Sequence, residues 1–293
     1  MRRKEFLKLI LGTHLSFYAM NMKSLINLKE ILPDTSKMPV MFLGHGSPMN
    51  AIEENEFVKG FRLMASKIIK PAAILVVSAH WETNGTFITA MKNPKTIHDF
   101  GGFPKELFEI QYPAPGNPEL ARDIKNKFKN TIVDEDYNWG LDHGTWSVVK
   151  HLYPEADIPV LQLSLNYLKT PEEHYSIAKE LEYLRYKGVL IIGSGNMVHN
   201  LGMVEWAKLN QSFAFDWALE ANERMKSCII NGNHEPLKNY NKQGSAFQLA
   251  IPTPEHFLPL LYAVALQDKS DKIEIFNDKA MAGSLTMTSI KIG

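Results

Sequence analysis

Four histidines stand where an α/β protein keeps its reactive groups. His45 lies in Leu43-Gly44-His45-Gly46-Ser47-Pro48 and His80 in Val76-Val77-Ser78-Ala79-His80-Trp81. His199 ends Gly193-Ser194-Gly195-Asn196-Met197-Val198-His199, and His256 ends Pro252-Thr253-Pro254-Glu255-His256. Each follows an apolar run or sits at the mouth of a helical pattern. The carboxyl ends of strands in an open α/β sheet face its ligand crevice, and neutral imidazole is the commonest metal ligand. Any one of these residues is equally compatible with a turn histidine whose ring is satisfied locally. Together they predict one metal site assembled from distant segments, and therefore an enzyme.

The flanking residues say how each ring is carried. Gly44 and Gly46 let the backbone beside His45 approach a ligand closely, and His80 takes the same position on a second strand. A sharp turn through Gly195-Asn196 aims His199 back over the sheet edge. Thr253 suits an N-cap and Pro254 the first helical position, which puts His256 in the first turn of a helix running through Phe257, Leu260, Leu261 and Val264. The positive end of that helix disfavours imidazolium and keeps the ring competent to bind metal. His143, in Gly140-Leu141-Asp142-His143-Gly144-Thr145-Trp146, sits in a polar loop and reads as a pocket residue or a turn residue, the pocket being favoured. His98 belongs to a surface or pocket wall, and His14, His151, His174 and His234 read as structural or solvated.

Apolar runs alternate with helical patterns: 39–43 then 53–69, 73–78, 86–90, 118–129, 158–164 then 171–186, and 189–193 then 211–231. Strands that are apolar throughout and separated by helices predict an α/β fold, a single domain with a central mixed, mostly parallel sheet covered by helices on both faces. The stretch from Met91 to Gly116 is rich in proline and glycine, and a loop of that length reads as a lid or pocket wall.

Composition narrows the function classes. Thirty-two basic residues balance 32 acidic ones with no basic stripe, so nucleic acid is not an expected partner. Cys228 is the single cysteine, which excludes an intramolecular disulfide and a cysteine-rich zinc site and fits a reducing, cytoplasmic compartment. Residues 1–37 read as an N-terminal extension ahead of a catalytic domain over 38–293. Arg2-Arg3 followed by a partly apolar stretch resembles a twin-arginine export signal, although His14 interrupts that stretch and no small-residue cleavage site follows; an amphipathic helix is the other reading. No other segment reaches the roughly 18 to 20 apolar residues that span a bilayer, so no stable membrane association is expected. Both a monomer and a homodimer fit this composition.

Several blocks in order resemble the DOPA 4,5-dioxygenase type of class III extradiol ring-cleavage dioxygenases, within the LigB superfamily. They are Gly44-His45-Gly46-Ser47-Pro48-Met49, Ser78-Ala79-His80-Trp81, His98-Asp99-Phe100-Gly101-Gly102-Phe103-Pro104, Asp142-His143-Gly144-Thr145-Trp146, Asn196-Met197-Val198-His199-Asn200-Leu201, Pro252-Thr253-Pro254-Glu255-His256 and Gly283-Ser284-Leu285. The resemblance runs from about Met38 to the C-terminus. It implies a mononuclear non-haem metal enzyme that opens a small catechol such as L-DOPA with O2 to a muconic semialdehyde. Carried over by position, His45, His80 and His256 look like the metal ligands. His199 looks like the acid/base residue beside the metal, close enough to serve as a fourth ligand without substrate, and His143 resembles a second pocket histidine facing the substrate. Fe(II) is the metal expected for catalysis, and Zn(II), which outranks it for imidazole ligands, is the metal expected in isolated protein. The third ligand here looks like a histidine rather than the carboxylate common in non-haem iron oxygenases, with Glu255 expected on another side of the helix.

Two other functions use the same residues. A zinc hydrolase would attack a small ester or amide with metal-bound hydroxide while His199 or His143 moves protons. A metal-binding or aromatic-binding protein without turnover would have no use for two proton-transfer histidines.

Overall fold

The apolar runs pair as the centre of an eight-stranded sheet in the computed structural model, which describes residues 32–209 and 211–293. Thr35–Gly293 form one compact unit. The reading of the N-terminal extension as an export signal or a helix rests on residues that lie outside the described ones. Among the described residues, no helix is long and apolar enough to cross a membrane.

The strands are β1 (Val40–Gly44), β2 (Ala73–Thr83), β3 (Thr86–Thr89), β4 (Val133–Asp136), β5 (Val160–Asn166), β6 (Val189–Gly195), β7 (Ile273–Phe276), β8 (Ala280–Met281), β9 (Leu285–Thr286) and β10 (Ser289–Ile292). The main sheet has the order β4-β3-β5-β2-β6-β1-β10-β7, and β8 pairs with β9 separately. Neighbours β1/β6, β6/β2, β2/β5 and β3/β4 are parallel, whereas β3/β5, β1/β10 and β10/β7 are antiparallel. The expected mixed, mostly parallel sheet is therefore present. Its antiparallel edge, β10 and β7, is new. These strands are four residues each and β7 is only half-buried, so they carry little of the apolar run by which a strand is recognised.

Among the described residues six helices run seven residues or longer: α1 (Glu56–Ala65), α2 (Pro118–Lys127), α3 (His143–Leu152), α4 (Pro171–Lys179), α5 (Asp216–Ile230) and α6 (Leu258–Val264). Their starts follow local chemistry. Asn55 accepts from Phe57 N and Val58 N, Asn117 from Leu120 N, and Thr170 with Glu173 forms a reciprocal capping box.

Helices cover both faces of the sheet. Leu190 and Ile192 of β6 share a core with Phe61 and Met64 of α1 and Trp146 and Val148 of α3. The alternate residues Gly193 and Gly195 face the other way, since successive strand side chains point to opposite faces. A Cβ there would come within 2.2 Å of the Pro259 carbonyl oxygen and 2.1 Å of that of His256, so α6 and the turn ahead of it rest directly on β6. Only glycine permits that approach.

Candidate metal centre

The carboxyl ends of adjacent parallel strands build the site. Gly44 of β1 is level with Gly195 of β6, and His45 N then donates to Gly195 O at 3.1 Å, so His45 leaves the sheet beside the end of β6. His80 lies on β2 within a register shift between Val77 and Glu82, which turns the end of that strand out of the regular ladder. Asn196 N donates to His256 O at 2.8 Å and ties the turn carrying His256 to β6. His199 is clamped from two sides: its N–H donates to Ala250 O at 2.9 Å, and it bridges Leu285 of β9. The C-terminal block Gly283-Ser284-Leu285 thus belongs to the seat of His199, with Asn200 N donating to Ser284 O at 3.1 Å.

Ring nitrogens of His45, His80 and His256 all lie within 4.8 Å of one another, a group that could hold a metal ion. Nε2 of His45 and Nε2 of His80 are 3.1 Å apart. Adjacent nitrogens about 2.1 Å from one divalent ion stand about 3.0 to 3.4 Å apart at ordinary coordination angles, so the spacing fits. The partners of the other ring nitrogens set the tautomers. Ser194 spends its one hydroxyl proton on Gly144 O, so its oxygen accepts Nδ1–H of His45 at 3.1 Å. Nδ1–H of His256 donates to Glu255 Oε1 at 3.2 Å, and Nδ1 of His80 is 3.5 Å from Asp99 Oδ2. A carboxylate only accepts, so the bond to Glu255 leaves the Nε2 of His256 a lone pair, and the Ser194 oxygen does the same for His45. Backing a ligand with an oxygen acceptor is the usual support of metal-bound histidine.

Burial keeps the rings of His45, His80 and His199 neutral. Desolvation first, then the neighbouring imidazoles, holds His45 and His80 well below the ordinary imidazole range. His199 is pushed down to about 3 by burial and then by His256, with Glu255 acting in the opposite sense. Burial raises the Glu255 carboxyl, but hydrogen bonds from His256, its own backbone and Thr253 outweigh it and leave it at about 2. Asp99 is likewise lowered, with burial opposed by its bonds from His143.

His199 and His143 border this group and belong to two overlapping ones that could also hold an ion, His199 with Glu255 and His256, and His143 with His80 and Asp99. The His199 ring stacks on His256 with centroids 3.6 Å apart and planes 10° from parallel, and its nitrogens are not part of the set formed by His45, His80 and His256. The His143 ring centroid is 3.8 Å from that of His80 and 5.7 Å from that of His45. His143 opens α3 rather than sitting in a loop, because Asp142 caps the helix by accepting from Thr145 N at 3.0 Å. Asp142 also accepts from Ser78 Oγ at 2.7 Å and Gln162 Nε2 at 2.6 Å, which fixes the start of α3 against β2 and β5.

The remaining histidines have local partners. His98 meets Ile110 O at 3.0 Å and packs on Phe100 and Trp146 as part of the loop wall, and His151 meets Asn50 O at 2.7 Å. His174 pairs with the Tyr262 hydroxyl, His234 with Tyr175 and Gln267, and His14 lies outside the described residues.

Two local expectations are corrected. Thr253 does not cap a helix; its hydroxyl donates to Glu255 Oε1 at 2.8 Å, and α6 starts at Leu258, so His256 occupies the preceding turn. Glu255 does not point away from the metal-facing ring, because outside a regular helix adjacent side chains are free to converge. Its bond to His256 makes Glu255, with Asp99 and Ser194, a residue the motif reading left without a role. The available signal was a carboxylate next to a candidate ligand. Glu255→Gln is expected to weaken metal affinity by about 10- to 100-fold, the usual cost of removing such support. Competition with a chromophoric chelator measures it, and an unchanged affinity removes Glu255 from the centre.

The description "catalytic LigB subunit of aromatic ring-opening dioxygenase" matches residues 35–291 of this chain. The chain belongs to this family. Among LigB-family relatives, it is 43% identical over 271 residues to 4,5-DOPA dioxygenase extradiol of Escherichia coli K12, covering 91% of this chain and 98% of that protein. It is 38% identical over 264 residues to 4,5-DOPA dioxygenase extradiol of Beta vulgaris, covering 85% and 94%. A crystal structure of an uncharacterized protein from Escherichia coli K12 matches with a TM-score of 0.76 at 38% identity, covering 88% of this chain and all (100%) of that one. This LigB-family chain is an extradiol, aromatic ring-opening dioxygenase, and the comparisons favour that chemistry over zinc-dependent hydrolysis.

Proposed function

We propose that this LigB-family enzyme opens the ring of a small catechol, with L-DOPA the first candidate, at one Fe(II) ion held by His45, His80 and His256. The observation that carries the reading is the convergence of one ring nitrogen each of His45, His80 and His256 within 4.8 Å of one another, with the Nδ1 of His45 on Ser194 and that of His256 on Glu255. The names of the relatives supply the substrate class. Three neutral imidazoles accept Zn(II) as well as Fe(II), but only iron has the redox chemistry to use O2. When bound, Fe(II) supplies both the charge that favours catecholate and the electrons that engage O2.

The protein residues handle position and protons. His199, neutral and stacked on His256, accepts a catechol hydroxyl proton and returns it during ring opening. His143 offers its Nε2 to the substrate from the opposite side, because its Nδ1 is engaged by Asp99 at 2.9 Å. Phe100 packs edge-on against His143, with ring centroids 5.5 Å apart, and contributes an apolar wall from the Met91–Gly116 loop for an aromatic ring. The catalytic domain of this proposal is residues 38–293.

Metal-stripped protein reconstituted separately with Fe(II) and Zn(II) tests it. With L-DOPA, O2 uptake and a yellow ring-opened product are expected with Fe(II) alone. A fully loaded Fe(II) site that consumes no O2 with L-DOPA or simpler catechols overturns the reading.

A further inference from the structure

Asp99 touches neither substrate nor metal in the chemistry described so far, yet its carboxylate meets the site at three points. Oδ1 accepts from the His143 backbone N at 2.9 Å, Oδ2 accepts from His143 Nδ1 at 2.9 Å, and the same Oδ2 lies 3.5 Å from Nδ1 of His80. The segment that carries it is strapped down beside the start of α3. Ile97 N donates to Leu141 O at 2.7 Å, Leu141 N donates to Lys95 O at 2.8 Å, and Trp146 Nε1 donates to Ile97 O at 2.8 Å. Asp99 is therefore held on the loop wall by backbone contacts to α3 and its approach, independently of the ring it touches.

We propose that Asp99 is a positioning residue that locks His143 in its Nδ1–H tautomer and orients it beside His80, so that His143 presents a lone pair rather than a proton to the catechol. This rests on the ring-opening reading above. The argument is one of donor and acceptor count. Two N–H groups of His143, one backbone and one ring, converge on Asp99, and a carboxylate can accept both because each oxygen is an acceptor. An amide of the same shape has one acceptor and one donor. With its oxygen on the backbone N–H, its NH2 faces Nδ1 and forces that nitrogen to become the acceptor, moving the ring proton to Nε2. The ring would then stand in place with the wrong nitrogen protonated toward the substrate. A carboxylate-to-amide change that reverses a histidine tautomer is known to cost catalysis while leaving geometry intact.

Asp99→Asn tests this in the full chain. Long-range 1H–15N spectra of the diamagnetic Zn(II)-loaded protein, with the His143 signals assigned by comparison with His143→Gln, are expected to show Nδ1–H in the wild type and Nε2–H in Asp99→Asn. Because Asp99 also lies behind His80, kcat is taken per bound Fe(II); it is expected to fall by about 10²-fold or more, within the usual range for misplacing an acid/base group, while KM moves less than about threefold. Loss of mere loop packing would raise KM and leave the tautomer alone. An Nε2–H ring in the wild type, or wild-type kcat in Asp99→Asn, overturns the proposal. Should the variant not fold, the wild-type spectrum decides. A tautomer switch in a protein that consumes no O2 with any catechol supports the positioning role and counts against the ring-opening reading alone.

Discussion

His45→Ala is expected to lose its metal and, with it, O2 uptake. Structural zinc sites with four protein ligands are worth about 10 to 16 kcal/mol, so one ligand contributes on the order of 3 to 4 kcal/mol, or about 10²- to 10³-fold in affinity. His45 is the most stringent choice among the three candidates because it is 2% exposed, the least of the three, and leaves β1 level with the end of β6. Its ring meets side chains, Ser194 Oγ and His80 Nε2 at 3.1 Å each, and not the backbone ladder of the sheet. The apoprotein should therefore stay folded, as judged by an unchanged far-ultraviolet circular dichroism spectrum, while metal content after dialysis falls below one-tenth of wild type. Full metal retention by the variant would exclude His45 as a ligand.

The second large effect is kinetic. His199→Ala is expected to bind metal at close to full stoichiometry and to lower kcat by about 10²- to 10⁴-fold, the range in which a positioned acid/base group contributes. The structure separates these two outcomes. His199 stacks on a candidate ligand and is not one of the set His45, His80 and His256, and its loop is held by Ala250 and β9. Metal content and turnover are measured on the same Fe(II)-loaded sample. Retained turnover removes the proton-transfer assignment, whereas loss of metal together with turnover makes His199 a fourth ligand.

The contrast between His256 and its neighbour shows how far local patterns reach. Thr253-Pro254 reads as a helix start, and a helix does follow, but it begins at Leu258, four residues later than the cap signal implies. The reason lies in competition for one hydroxyl: Thr253 donates to Glu255, which in turn holds His256. Likewise His143 reads as a loop residue because two glycines flank it, while the buried Asp142, bonded to Ser78 and Gln162 from two different strands, makes it the start of a helix. The short strands β7 and β10 escape notice for the opposite reason, since an alternation of only four residues is too short to stand out from a loop.

The α/β class, the parallel strands β1, β2, β5 and β6, and the identity of five candidate histidines were determined by sequence alone. Apolar runs of β-branched residues can be buried only in a sheet covered on both faces, and histidines at the ends of such runs have one crevice to face. What the tertiary structure decided is which oxygens stand beside these rings. Ser194, Asp99 and Glu255 reach His45, His80 and His256 across 149, 19 and one positions of the chain; the first pairing exists only after β1 and β6 lie side by side, and the second only after the loop carrying Asp99 folds over β2. Hydrogen-bond direction depends on partners in space, and no spacing along the chain encodes it.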